Sequence, residues 1–504
     1  MKHILVLGAG KSATVLIEHL LSEAWRQDWH IDVADIDPAL AARKVGGHLR
    51  GTAHGLVSGG TEAFSPLVGG ADLVISLLPP PLHPQVAALC LREGRHFLNA
   101  SYLTPELREM DADVRARGLT FLCECGLDPG IDHMSAMRLL HDIRSSGGRP
   151  LSFRSHCGGL LAPTSDDNPW HYKFSWNPRN VIMAGRDGAV YRQDGRVVRV
   201  GYGELFDPAR TVDIPGLGNY AWYPNRDSLP YLDTYGLEDI PTFVRTTLRH
   251  PDFCFGWKNL VALRLTDDTI HYDTDGMSLS SFFQIHFDRF GFSEWLDQTL
   301  SHRLHDTRLH LEELISLMEA DSVRAEEDRH KDDFMLVNGE GDLRSMSVSR
   351  TRSHAAHGMA NRMHEARLVL SQLFFLGLDS GEMIDGGRMS AADILQWTME
   401  RRMALRPEDR DMVVMMHEVE YEAGGNRHRS RSTLTLEGED AVHTAMAKTV
   451  GMPLAIAAGL ILSGRLAVPG VQIPVLPAIY DAVLPELESH GIGFREDHQQ
   501  LSGD

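Results

Sequence analysis

The chain has 504 residues, 43% hydrophobic and 23% charged, the composition of a globular protein of about three domains at ~150 residues each. Its 49 basic and 69 acidic residues give a net charge of −20 and a pI of about 5.7, which excludes nucleic acid and anionic lipid as expected partners. Five cysteines, few and odd in number, fit a reducing cytoplasm better than a disulfide framework. Met1-Lys2-His3 leads straight into an apolar run with no leader pattern, and the longest apolar stretch, Met452 to Leu462, is too short for a bilayer. A cytoplasmic protein without membrane partners is therefore expected.

In chain order, Ile4-Leu5-Val6-Leu7 predicts a strand, Gly8-Ala9-Gly10 a turn, and Val15, Leu16, Ile17, Leu20 and Leu21 an amphipathic helix. Ile31 to Asp35 predicts a second strand. Leu73 to Leu78 predicts another, followed by Pro79-Pro80-Pro81, a helix from about Pro84 to Arg92, and the strand His96 to Ala100. Apolar runs alternating with helices imply a parallel sheet covered on both faces, closing near residues 120–130. From about 151 the aromatic, Gly- and Pro-punctuated texture predicts a mixed domain. Residues from about 300 to 365, dense in His, Arg, Asp and Glu, read as an insertion containing a helix at His310 to Met318 and a polar connector through Asp328 to Asp333. Val413 to Tyr421 and Ser432 to Leu436 flank a turn at Gly424-Gly425-Asn426, and the small, apolar helix Thr444 to Leu462 should pack on another element.

The first turn carries the most specific local signal. Gly8-x-Gly10-x-x-Ala13 lies between a strand and a helix, and Asp35 closes the next strand about twenty residues on. Small residues let the backbone approach a pyrophosphate, whose charge the helix N-terminal amides meet. The candidate cofactor residues are Gly8, Gly10, Lys11, Ser12, Ala13 and Asp35, with Leu77, Leu78 and Pro79 beyond the later strand. Asp35 favours NAD, because a carboxylate bonds a free ribose 2′-hydroxyl and repels a 2′-phosphate; the alternative is that Asp35 or Asp37 caps the helix from Pro38. A nucleotide-hydrolysing phosphate loop at Gly10-Lys11-Ser12 fails, since it needs glycine where Leu5 stands.

The loops Asn99 to Tyr102 and Gly126 to His133 follow strands, where open parallel sheets hold their ligands. Asp128 also reads as a plain turn residue before Pro129, and Cys157 as a small buried hydrophobe. His354, His357 and His364 fit a solvated helix face better than a zinc site, and no metal is expected. Cys123 and Cys125 share one face of the predicted strand.

Longer motifs point further. Glu124-Cys125-Gly126-Leu127-Asp128-Pro129-Gly130-Ile131-Asp132-His133, Cys157-Gly158-Gly159-Leu160, Asp167-Asn168-Pro169, Tyr172-Lys173-Phe174-Ser175-Trp176, Tyr223-Pro224-Asn225-Arg226-Asp227-Ser228, Thr247-Leu248-Arg249, Glu408 to Val414 and Ala445 to Gly451 occur in this order. With them the chain resembles the saccharopine reductase family, the glutamate-forming saccharopine dehydrogenases of lysine metabolism.

The resemblance implies an α/β enzyme of three parts. These are a Rossmann-type NAD(P) domain over 1–130, a mixed α+β substrate and dimerisation domain over 131–440, and a C-terminal helical segment over 441–504 returning to the first. It implies an amino acid joined to an aldehyde through an imine, which a nicotinamide reduces, and a homodimer. Tyr102, Asp128 and Cys157 match residues around the family's reacting centre, Arg226 matches its carboxylate-holding arginine, and Ser101, Asn225 and Arg249 complete the expected substrate site. Saccharopine carries three carboxylates, so a chain of net charge −20 needs local guanidinium groups such as Arg226 and Arg249. Family habit favours NADP, and Asp35 favours NAD. The other readings are a polyamine enzyme resembling carboxynorspermidine synthase, or a silent NAD(P)-binding sensor or scaffold.

Overall fold

The structure is a computed structural model that describes residues 1–56, 64–292, 333–337, 343–347, 365 and 367–501. The described chain forms two compact units, one of residues 1–167, 171–258 and 403–504, the other of 168–170 and 259–402.

The first unit holds both main sheets. Strands β1 (Lys2–Leu7), β2 (Trp29–Asp35), β3 (Gly51–Gly55), β4 (Leu73–Ser76), β5 (His96–Asn99) and β6 (Thr120–Leu122) are all parallel in the order 3-2-1-4-5-6. A late strand, Gly470–Gln472, adds a seventh beside β6. This is the dinucleotide-binding order, whose direction reverses between β1 and β4. Ile4 to Leu7 are fully buried because helices cover both faces of the sheet, so β1 reads as a continuous apolar run instead of an alternating one.

One covering layer is the helix Thr14–Glu23, which buries Leu16, Ile17, Leu20 and Leu21. It crosses the helix Ala445–Leu462 so closely that a Cβ on Gly451 would stand 2.9 Å from the Leu16 amide nitrogen. Ala445–Leu462 extends well before the apolar run at Met452 and is long and apolar enough, by length and composition, to cross a membrane. Here 78% of it is buried, in a core shared with the helix Pro477–Ser489. Asp411 fixes its start by accepting from the amides of Ala445 (2.6 Å) and Met446 (3.0 Å).

The second sheet contains β7 (Arg149–Leu161), β8 (Ala189–Gln193), β9 (Arg196–Val200), β10 (Thr211–Ile214), β11 (Gly218–Pro224) and β12 (Thr242–Arg249). Asp411–Ala423, Asn426–Glu437 and Arg495–Gln500 complete its nine strands. β12 and β7 run parallel; the remaining pairs are antiparallel. The predicted strand pair around Gly424 is a hairpin with Gly424-Gly425 at φ +57° and +79°, the left-handed pair a two-residue turn demands.

In the second unit, His271–Asp273 pairs with Arg388–Ser390, and the helices Leu279–Phe290 and Ala391–Arg402 bury Phe282, Phe283, Leu395 and Met399. Of the expected insertion, the described part is a backbone hairpin, Asp333–Val337 with Leu343–Ser347. The expected helix His310 to Met318, the run Asp328 to Asp332, and His354, His357 and His364 lie outside the described residues.

The cysteine pair at β6 departs from expectation. Cys123 belongs to the core on one face of the parallel sheet and Cys125 to the core on the other. The cause is Glu124, whose left-handed backbone (φ +54°) breaks the strand's alternation between them. All five cysteines are free and buried.

Candidate active site

The expected cofactor residues gather at the carboxyl ends of β1, β2 and β4. Gly8 has φ +99°, and a Cβ there would meet the Leu77 carbonyl oxygen at 2.9 Å, so glycine is required for both conformation and space. Leu77 and Gly8 meet because the Leu77 amide donates to Leu7 (2.8 Å) where β1 and β4 separate; Leu78 and Pro79 carry the chain outward. A Cβ on Gly10 meets no protein atom within 4 Å, the open approach a pyrophosphate needs, and Ala13 is buried beneath. Lys11 is exposed, with its Nζ 3.4 Å from the Phe174 carbonyl oxygen, and Ser12 is half-buried. The turn thus fits a dinucleotide.

Of the two acids considered for the cap, Asp37 provides it. Asp37 caps the helix Pro38–Val45, accepting from Ala39 and Leu40. Asp35 braces the glycine turn: Oδ2 accepts from the Ala9 amide (2.7 Å) and Oδ1 from the Asp37 amide (2.9 Å). Gly10→Val is expected to abolish dinucleotide binding by fluorescence titration while leaving the unfolding midpoint nearly unchanged, because the added side chain enters cofactor space and not the core.

The residues expected around the reacting centre come from the ends of β5 and β6 and from the second sheet. After β6 the loop folds on itself: Gly130 has φ +149°, and a Cβ there would collide with the Gly126 backbone. The Gly130 amide donates to Asp132 Oδ1 (2.6 Å), tying the loop to the helix Ile131–Ser145. Asp128 stands at the loop's outer end. There Arg245 of β12 places one nitrogen, Nη2, 2.7 Å from Asp128 Oδ1 and 2.6 Å from Asp132 Oδ2. The Arg245 and Asp132 side chains are 3% and 1% exposed, and Asp128 keeps 14% open. Tyr231 lies beneath the guanidinium, 4.4 Å from ring centroid to Cζ. Burial pushes the Asp128 carboxyl up to about 6, with Arg245 opposing and Asp132 adding to the rise. Burial would raise Asp132 too, but His133 and Arg245 overcome it and hold that carboxyl below the usual range.

Tyr102 follows β5. Burial first, and Asp128 next, raise its phenol, which remains a proton donor across the physiological range. Arg226 is exposed, with a left-handed backbone (φ +55°) and its guanidinium 5.3 Å from the Tyr102 ring centroid. Asn225 precedes it, its amide donating to the Arg245 carbonyl oxygen (2.8 Å). Ser101 is linked through His83, whose Nε2 is 2.9 Å from Ser101 Oγ and whose Nδ1 is 3.0 Å from Ser76 Oγ; burial lowers this imidazole to about 4 and keeps it neutral.

Two expected residues are buried. Cys157 is buried in the core, and desolvation raises its thiol well above the ordinary value, so it is no thiolate nucleophile. Arg249, expected to grip a carboxylate, is 3% exposed and turns Nη1 to the carbonyl oxygens of Leu248 (2.9 Å) and Gly159 (3.3 Å) over the Tyr172 and Phe253 rings. Sequence reasoning missed Arg245 and Asp132. The alternation of β12 puts Arg245 on the same face as Thr247 and Arg249, the one available signal. Behind Asp132, His133 joins Glu124 Oε2 (2.7 Å, Nε2) to the Tyr235 hydroxyl (2.6 Å, Nδ1), a fully buried brace for the loop.

A parallel 3-2-1-4-5-6 sheet with a glycine turn at its switch point, facing an acid, a phenol and an arginine, defines the class as a nicotinamide-dinucleotide-binding oxidoreductase fold. Sequence profiles agree: that of the saccharopine dehydrogenase NADP binding domain matches residues 4–122, and that of the saccharopine dehydrogenase C-terminal domain matches 126–492. The chain belongs to the saccharopine dehydrogenase family. It is 31% identical over 501 residues to the L-glutamate-forming saccharopine dehydrogenase [NADP(+)] of Saccharomyces cerevisiae, covering 98% of this chain and 99% of that one. The solved structure of the apo, histidine-tagged yeast saccharopine dehydrogenase (L-Glu forming) aligns with TM-score 0.76 at 28% identity, over 99% of this chain and 100% of that one. Identity is 30% to the alpha-aminoadipic semialdehyde synthase of Arabidopsis thaliana, where 98% of this chain spans 44% of the longer protein.

Proposed function

We propose that the chain is an NAD(P)-dependent oxidoreductase acting on CH–NH donors in lysine metabolism, forming or cleaving saccharopine from glutamate and 2-aminoadipate 6-semialdehyde. The observation that carries this reading is the half-open Asp128, held by Arg245 beside Tyr102 and the exposed Arg226. Arg226 binds a substrate carboxylate. Asp128, its carboxyl pushed up to about 6 by burial, accepts a proton from the attacking amine and returns it to the departing hydroxyl as carbinolamine becomes imine. The Tyr102 hydroxyl donates a hydrogen bond to the same centre, and Ser101 and Asn225 border it. Gly8 to Ala13 would hold the phosphates of a dinucleotide, which would supply the hydride for reduction of the imine carbon when bound.

Residues 1–130 serve the cofactor in this reading, 131–440 the substrate and the contact between two copies, and 441–504 return to the first part. The enzyme works in the cytoplasm as a homodimer, apart from membranes and nucleic acid. The relatives' names favour NADP(H), and both Asp35 oxygens are engaged by main-chain amides, so NADP(H) is the proposed cofactor.

The test is oxidation of NADPH and of NADH with glutamate plus the semialdehyde, run beside polyamine and aldehyde pairs. Turnover of the first pair with NADPH preferred is expected. Turnover of only a polyamine pair would overturn the substrate, and a preference for NADH would assign Asp35 to the ribose. Arg226→Ala should raise KM for the carboxylate substrate by roughly 10-fold or more with a smaller change in kcat, since the contact persists from bound substrate to transition state.

A further inference from the structure

Outside the reacting centre, three donor side chains converge on one point of the first unit. The loop after β7 brings His171, and the chain leaving β12 brings His250 and then Asp252, in the first turn of the helix Pro251–Ala262. One ligand atom from each lies within 4.8 Å of the others, and all three residues are half-buried. His171 Nε2 stands 3.3 Å from Asp252 Oδ2. Two ligands bonded to one zinc-like ion at ~2.0–2.1 Å in tetrahedral geometry are about that far apart.

The other side of the His171 ring is fixed as well. Its Nδ1 lies 2.5 Å from Asp166 Oδ2. A carboxylate at the outer nitrogen of an imidazole fixes the ring with Nε2 directed at the other donors, the usual support of histidine ligands. His250 lies against the same ring, with centroids 3.8 Å apart and planes inclined by 29°, and its Nδ1 accepts from the Asp252 amide (3.2 Å), so this ring turns to present a nitrogen to an ion. His171 also holds φ +49°, a conformation glycine adopts far more easily, so the chain keeps an imidazole here at a backbone cost.

We propose that His171, His250 and Asp252 bind one divalent transition-metal ion of the zinc type, with Asp166 orienting His171 from outside the coordination shell. Two imidazoles and one carboxylate suit borderline ions over the oxygen-seeking magnesium or calcium. With three protein donors, water completes the coordination. The ion fastens the loop after β7 to the end of β12. His171 and His250 are 79 positions apart in sequence, so only the fold reveals the set.

The test uses the full chain stripped by a chelator and titrated with Co²⁺, followed by its visible absorption, then with Zn²⁺ in competition with a chromophoric chelator. One ion per chain is expected, with a tetrahedral or five-coordinate cobalt spectrum and a higher unfolding midpoint in Zn²⁺. His171→Gly suits the local φ and preserves the backbone; it and Asp252→Asn should abolish that spectrum. Asp166→Asn should keep the stoichiometry and weaken affinity by about 10- to 100-fold, as loss of an outer-shell partner does. Absence of stoichiometric binding, or binding unchanged in His171→Gly and Asp252→Asn, would overturn the proposal.

Discussion

Arg245→Met is expected to destabilise the protein by about 3–5 kcal/mol at pH 8, read as a lower denaturant midpoint, because two buried carboxylates lose the cation they share. The sign of the pH dependence is fixed by Asp132. Its carboxyl is held below the unfolded value, so its pairing contributes stability above the unfolded pKa and loses it as pH falls through the folded one. In the variant both carboxyls bind protons more readily. The stability gap between the two proteins should therefore be widest above pH 7 and narrow toward pH 4. A gap below about 1 kcal/mol at pH 8 would place Asp128 and Asp132 in better contact with water than their burial implies.

Asp128→Asn carries the largest expected effect on rate. An amide cannot exchange the proton that imine formation requires, so single-turnover rates should fall by ~10²–10⁴-fold, with substrate affinity nearly retained. The wild type should lose activity as pH drops through about 6, where the raised Asp128 carboxyl takes up its proton. That acidic limb should vanish in the variant. Single-turnover measurement matters, because slow product release would hide the change in steady-state kcat. A wild-type single-turnover rate in Asp128→Asn would return the residue to a turn role before Pro129.

What the sequence disclosed was mostly local. Ile4 to Leu7, Gly8, Gly10 and the apolar face of Thr14–Glu23 lie within one supersecondary unit, so periodicity and turn chemistry suffice to read them. The Gly424-Gly425 hairpin was legible for the same reason. Asp128 became a candidate through an extended motif and Tyr102 through its place on the loop after a strand and the family resemblance, and the two stand together in the fold. Arg245 escaped notice because its meaning depends on Asp128, 117 positions earlier, and the strand's alternation, which sets it on one face with Thr247 and Arg249, does not say what that face meets. Arg249 was misjudged for the converse reason: it looked like an available cation, while the fold surrounds it with aromatic rings and main-chain carbonyls. Left-handed Glu124 likewise reversed the face of Cys125, since a strand's alternation holds only while its backbone stays extended.

The seventh strand of the parallel sheet has a consequence for how the protein is made. Gly470–Gln472 closes the edge beside β6, with the Cys123 amide donating to the Gln472 carbonyl oxygen and the Gly470 amide to that of Leu119. The helix Ala445–Leu462 roofs the same sheet against Thr14–Glu23. A ribosome that has released residues 1–130 has delivered every residue of the dinucleotide turn but neither its roof nor its last strand. Until some 340 further residues emerge, the nascent sheet offers an open edge and an uncovered apolar face, the surfaces that chaperones hold and that aggregation exploits.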